Sequence, residues 1–314
     1  MPSRGRTFTV VDKSVVFSAE STMVVRDVIR CEKMQAETCA VQSSITIEEF
    51  FPLKDAKGPR DLLEALLHAM IGYLHLFDEG WQLRTISSLN LRSNAALKLE
   101  ETRSSWLDCH PYGLKHCRGI LIDSGDSEAV KCKEEHEPGT HRSGTLPFMS
   151  QDMLDAMDWP SNTRHTALDD LESFIWVLVW ECLHQGKSRN SLSNWDLKSL
   201  DKIRGDSPGH LASFKGAFLG TCQFNSHPDL DDSFLSPFRL LLAQWAGIRS
   251  EGRIQMAALE KIRSRLSTDD SDGAAQVPNR MDVLCRKTGL EYVRAGLEHL
   301  QNLQESWLPT TEAA

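Results

Sequence analysis

His165-Thr166-Ala167-Leu168-Asp169-Asp170-Leu171-Glu172-Ser173-Phe174 runs straight into Ile175-Trp176-Val177-Leu178-Val179-Trp180-Glu181-Cys182-Leu183-His184. Leu171, Phe174, Ile175, Val177, Leu178, Val179, Trp180 and Leu183 cover nearly the whole circumference of a 3.6-residue helix. The spacing over Thr166–His184 therefore predicts a helix buried on most of its sides. Asp169 and Asp170 stand at its start, where a carboxylate suits an N-cap or first turn. The strongly apolar run Phe174–Trp180 is closed by Glu181, well short of the roughly 20 residues that a membrane span needs. A central, buried helix is the expectation, with other elements packed around it.

Upstream, Leu62, Leu63, Leu66, Leu67, Met70, Ile71, Leu74 and Phe77 recur at three- and four-residue spacing and predict a helix over Arg60–Asp78, with Pro59 before it and Gly80 after. Thr7–Phe17 and Thr22–Arg30 alternate partially, so residues 6–50 read as β-rich and irregular. Gly119–Ile122 reads as a short strand ending on Asp123. Leu97–Arg118 reads as a loop or hairpin insertion, and Asp123–Ser143 as a charged surface loop. Downstream, helices are expected at Ser236–Ile248, Arg253–Leu266 and Met281–Ser306, with Ser267–Asn279 as a low-complexity linker. The order, a small β-like start and then mostly helices, predicts an α+β protein with two unequal lobes.

The 314 residues carry 44 acidic against 35 Lys and Arg side chains, a net charge of −9, with 40% hydrophobic and 25% charged content. This is the balance of a folded globular chain, and it argues against both wholesale disorder and general nucleic-acid affinity, which needs a basic stripe. Eight cysteines are spread thinly, with no framework of repeated spacing, and no Asn-x-Ser/Thr site occurs. Reduced thiols in a cytoplasmic or nuclear protein are the expectation, with no membrane partner. Cys109-His110 with His116-Cys117, and Cys132, His136 and His141, match no standard zinc spacing and are read as loop residues.

Four stretches occur in a telling order: Leu83-Arg84-Thr85-Ile86-Ser87-Ser88-Leu89-Asn90-Leu91, then Gly119-Ile120-Leu121-Ile122-Asp123-Ser124-Gly125, then Ser143-Gly144-Thr145-Leu146-Pro147-Phe148-Met149, then the Asp169–Phe174 stretch quoted above. Together they resemble the C-lobe of the fungal-type protein kinase family, with its H-R-D-I-S-x-x-N-I, L-I-D, G-T-x-x-F-M and D-D-L-E-S-F. Asn194-Trp195 and Phe214-Lys215-Gly216-Ala217-Phe218-Leu219 add to it, and the resemblance covers about residues 58–250.

The resemblance implies a protein-kinase-like fold: a reduced N-lobe segment over 1–59, a helical C-lobe over 60–266, a linker over 267–280 and a C-terminal helix and tail over 281–314. It implies ATP and magnesium, if nucleotide binding is retained, and a protein as partner or substrate. Asn90 falls at the metal-binding Asn, Asp123 at the metal-binding Asp, Arg84 at the Arg of H-R-D, and Leu83 at its His. Thr85 takes the place of the catalytic Asp, and a threonine hydroxyl carries no negative charge near pH 7 with which to accept the substrate's proton. Asp170 matches the aspartate that opens the central helix and holds backbone near the catalytic loop. Asp152 matches the Glu of A-P-E and is expected to pair with a later arginine; Thr145 is carried over as a structural residue.

Outside this context Asn90 and Asp123 would be ordinary turn residues. No Gly-x-Gly-x-x-Gly precedes residue 60, and only twelve residues precede Lys13 of Val10-Val11-Asp12-Lys13, too few for two strands and a glycine loop. The expectation is a pseudokinase that acts by binding proteins. The alternatives are an active Ser/Thr kinase with a substitute base, Asp126 being one candidate, or an eroded C-lobe fragment without catalysis.

Overall fold

The computed structural model describes residues 16–17, 51–78, 80–83, 86–93, 119–122, 130–131, 144–158, 164–205, 207–223, 233–265, 271–304 and 307. Its strands are short: β1 (Val16–Phe17), β2 (Phe51–Pro52), β3 (Trp81–Gln82), β4 (Leu91–Ser93), β5 (Gly119–Ile122) and β6 (Val130–Lys131). An antiparallel four-stranded sheet has the order β1-β5-β4-β2, and β3 pairs with β6. Its register sets Leu91 opposite Leu121 and Val16 opposite Ile122. Helices α1 (Pro59–Asp78), α2 (Gln151–Asp158), α3 (Ala167–Ser188), α4 (Asn194–Arg204), α5 (Pro208–Gln223), α6 (Arg239–Arg265) and α7 (Ser271–Leu300) make up most of the described structure. The two helices with the clearest periodicity, α1 and α3, are where the spacing predicted them. The β-rich reading of residues 6–50 meets described structure only at Val16–Phe17, and the expected loops at 97–118 and 123–143 lie outside it except for β6.

Tertiary packing overrode the local reading in three places. The helices expected at Ser236–Ile248 and Arg253–Leu266 are one, α6. A lone glycine inside a helix costs about 1 kcal/mol, and the burial of Trp245, Met256 and Leu259 on either side of Gly252 outweighs it. The stretch read as a linker over 267–280 is helical from Ser271, with Pro278 inside α7. Buried Val277 ties that first part of α7 to the core. Helices α2, α4 and α5 are not among those the spacing predicted; α4 is started by a capping box, in which Ser193 Oγ accepts from the Asp196 N–H at 3.1 Å and Asp196 accepts from the Ser193 N–H at 3.0 Å.

A single large core joins α1, α3, α6 and α7. Helix α3 lies at its centre with both ends of its apolar surface covered, as its all-round hydrophobicity requires. Trp245 of α6 stacks on Tyr292 of α7 with ring centroids 5.5 Å apart and donates its indole N–H to the Tyr292 carbonyl at 3.0 Å. Gly289 and Gly296 let α7 lie directly against α1: a Cβ at either would come within 2.4 Å of Leu74 or Leu67. Past α7, Gln304 accepts from the Arg60 N–H at 3.2 Å and Trp307 donates to the Ala56 carbonyl at 3.0 Å, so the chain returns to the start of α1.

Cys182, Cys222 and Cys285 are buried free thiols. Burial pushes Cys222 and Cys285 up to about 12 and raises Cys182 well above its ordinary value. A thiolate is the reactive form. Iodoacetamide at pH 8 should therefore leave all three unmodified in the native protein and modify them once urea unfolds it. Native-state labelling of any of the three, read by mass spectrometry, would contradict the packing.

Candidate functional site

Of the candidate ligands, the described residues include Asn90, next to β4, which pairs with β5. Asn90 closes a turn, its N–H donating to the Ser87 carbonyl at 3.1 Å, and immediately precedes Leu91. Leu91 faces Leu121, two residues before Asp123. Asn90 is half-buried; Asp123 itself, Arg84 and Thr85 lie outside the described residues, as do the cysteines and histidines weighed for zinc over 109–141. Leu83, at the histidine position of the motif, is only 2% exposed and belongs to the core. That site has thus exchanged a polar side chain for a packing one.

Asp170, at the start of α3, is fully buried. A buried carboxylate must find donors, and it has them from two directions: Tyr73 Oη of α1 donates to Oδ2 at 2.8 Å, and His165 Nε2 lies 2.8 Å from Oδ1. These are side-chain partners; residues 84 and 85 of the loop whose backbone the resemblance implied lie outside the described residues.

Beside it stands a charged cluster that fixes α2 against α3 and α6. Arg253 reaches Asp152 at 2.9 Å, Asp169 at 2.7 Å and Glu172 at 3.4 Å. Arg249, one turn earlier, reaches Glu172 at 2.6 Å and the Gln151 amide oxygen at 3.1 Å. Asp169 also accepts from Ser150 Oγ at 2.5 Å and from the Thr166 N–H at 2.7 Å, which starts α3. Glu172 accepts from the Gln151 N–H at 2.8 Å and the Trp176 indole at 3.2 Å. Asp152, 41% exposed, is the outer member.

Burial by itself would raise the pKa of Asp169 and Glu172. For Asp169, Arg253, His165 and the Ser150 hydroxyl reverse that; for Glu172, Arg249 and Arg253 do, and both end below the ordinary carboxylate range. Asp152 goes the other way: burial, with Asp169 and Glu172 nearby, outweighs the pull of Arg253 and Arg249 and raises it. Burial likewise works to lower the Arg253 guanidinium, but Asp169, Glu172 and Asp152 together raise it. The cluster is a fixed pair of cations held by fixed anions. It can position chain segments.

Thr145 is exposed, and its carbonyl accepts from the Phe148 N–H at 2.8 Å, which shapes a single 3-10 turn over Leu146–Phe148. Under this turn Lys215 of α5 donates to the Pro147 and Met149 carbonyls. Trp195 of α4 and Phe218 of α5 stack at 6.0 Å, and Phe218 lies 5.6 Å from Trp176, so the two later stretches that resemble the family meet on α3. Sequence reasoning placed Asp152 and anticipated an arginine for it. It missed Arg249, Arg253, Glu172, Tyr73, His165 and Lys215 as partners. The signal for the arginines was their i, i+4 spacing, which puts both on one helix face; nothing in the sequence marked that face as the one turned inward.

The described residues include no helix long and apolar enough to cross a membrane. No curated protein and no solved structure matches the chain. One family does: the sequence model of the fungal protein kinase matches residues 18–182, a little over half of the chain, from just after β1 to within α3. Asn90, Asp123, Thr145, Asp152 and Asp170 all fall inside that match, while the partners Arg249, Arg253 and Lys215 come from beyond it. With the motif order and the matched span in agreement, the chain belongs to the fungal protein kinase family.

Proposed function

We propose that this protein is a pseudokinase of the fungal type, with a protein-kinase-like fold, that works by binding other proteins. The observation that carries the reading is Thr85 at the position of the catalytic aspartate, in a motif that keeps Arg84, Ile86, Ser87 and Asn90 but has Leu83 for its histidine. A hydroxyl there cannot take the acceptor's proton as a carboxylate does. The scaffold beneath the Leu146–Phe148 turn is in place: Asp152 has its arginine, and the turn is held from below.

Asn90, just before β4, and Asp123, which follows β5 in the sequence, would supply side-chain oxygen donors, a donor set that suits a hard divalent cation. They would hold magnesium with the nucleotide. Magnesium ATP, when bound, brings a transferable phosphoryl group and a cation that neutralises its oxygens. The chain's own part is to bind and orient. An active Ser/Thr kinase is the second reading, favoured by the retention of Asn90 and Asp123, and it requires a substitute base such as Asp126.

Two measurements separate them. Purified protein with Mg-ATP should show no phosphotransfer, and steady turnover that disappears in Asp123→Ala would overturn the pseudokinase reading. A rise in melting temperature with Mg-ATP, lost in Asp123→Ala, is expected if nucleotide binding persists without catalysis. Thr85→Asp should raise transfer measurably only if the rest of the site is competent.

A further inference from the structure

Lys215 is a fully buried lysine on α5. Burial pushes its amine well below the ordinary lysine pKa, with Glu172 pulling the other way, and a buried amine in either protonation state needs its donors satisfied. Its Nζ donates to the Pro147 carbonyl at 2.8 Å and the Met149 carbonyl at 2.5 Å, and it lies 4.4 Å from the centroid of the Trp176 ring. Among the described residues no carboxylate pairs with it directly. Glu172 acts at one remove: its carboxylate accepts from the Trp176 indole and from the Gln151 N–H. The next residue, Gly216, is what lets α5 come so close, since a Cβ there would lie 2.8 Å from the Gln151 side chain.

We propose that Lys215 is a positioning residue: its amine fixes the strip Leu146–Ser150 in one conformation, with no added phosphate required. Four successive points of that strip and its continuation are held from the inside. Pro147 and Met149 are bound through their carbonyls by Lys215, Ser150 through its hydroxyl by Asp169, and Gln151 through its N–H by Glu172. Gly144 and Thr145, at the outer end, remain exposed. Every holding group is a permanent feature of the chain, so the outward face is set by folding alone. That this face meets a protein partner rests on the pseudokinase reading; the positioning by Lys215 does not.

The test is amide hydrogen exchange on the full chain. Lys215→Met keeps the length of the side chain and removes its donors. Exchange at Phe148 and Met149 should rise at least tenfold while exchange in α1 and α3 stays as in the wild type. Unchanged exchange at 148–149 in a folded Lys215→Met protein would overturn the proposal. Phosphatase-treated wild-type protein should keep the same protection, and its loss on treatment would also overturn it. If Lys215→Met does not fold, the wild type serves: acylation of Lys215 by a succinimidyl ester should rise with urea in step with exchange at 148–149. Acylation at the rate of surface lysines, or opening of those amides while Lys215 stays protected, would refute it. Neither readout involves ATP or a partner, so the result stands apart from the question of catalysis.

Discussion

A chain cut after Leu266 should lose its cooperative unfolding transition. The cut removes α7, which contributes Val277, Leu284, Cys285, Tyr292, Val293, Leu297 and Leu300 to the core, and with it Leu303 and Trp307. Full burial of one large apolar side chain is worth about 1.5–3 kcal/mol, while a whole domain is stable by about 5–15 kcal/mol. Losing several such side chains at once exceeds that margin. The cut also strips α1 of the close approach at Gly289 and Gly296 and leaves the buried Trp245 indole without the Tyr292 carbonyl. Thermal melting by circular dichroism decides it. A truncated protein with a sharp transition within a few degrees of the full chain would make α7 an appendage. A milder variant, Gly296→Val, should destabilise by about 1–3 kcal/mol through overpacking against Leu67.

Arg253→Met should cost about 3–5 kcal/mol, the usual effect of leaving buried charge without its partner. Asp169 and Glu172 are both buried, and Arg253 touches both as well as Asp152. The loss should shrink as the pH falls. In the wild type the folded pKa values of Asp169 and Glu172 are depressed, so their stabilisation is fully present above the ordinary carboxylate pKa of about 4. It disappears as pH drops through the lower, folded values. In Arg253→Met Asp169 loses its arginine while Glu172 keeps Arg249, so burial raises Asp169 above all, and its protonation relieves the penalty. Urea unfolding at pH 7 and pH 5 should show a smaller difference between variant and wild type at pH 5. An equal or larger difference at pH 5, or less than about 1 kcal/mol at pH 7, would mean the cluster is not held as the distances show. Adding Asp169→Asn to Arg253→Met should recover part of the loss.

Much of this was open to reading in the residues. Helices α1 and α3 follow from a wide apolar face and an all-round apolar surface, because the helical period leaves its mark directly in the spacing. Asp152, Asp170 and Asn90 could be picked out by their place in ordered motifs. The starts and ends of the later helices were harder. Gly252 and Pro278 carry local penalties of the kind that break helices, and a local reading cannot see the core side chains that overcome them. The polar stretch that opens α7 looks like a linker because the burial of Val277 depends on the folded core and leaves no mark in the local sequence.

By itself the sequence determined the family and the central buried helix, since each of these is a matter of residue type and order. Which charges meet was decided only by the tertiary structure. Arg249, Arg253 and Lys215 look like surface cations in the chain; they become internal fixings because α5 and α6 pack against α2 and α3 and turn those faces inward, where a charge persists only beside its partner.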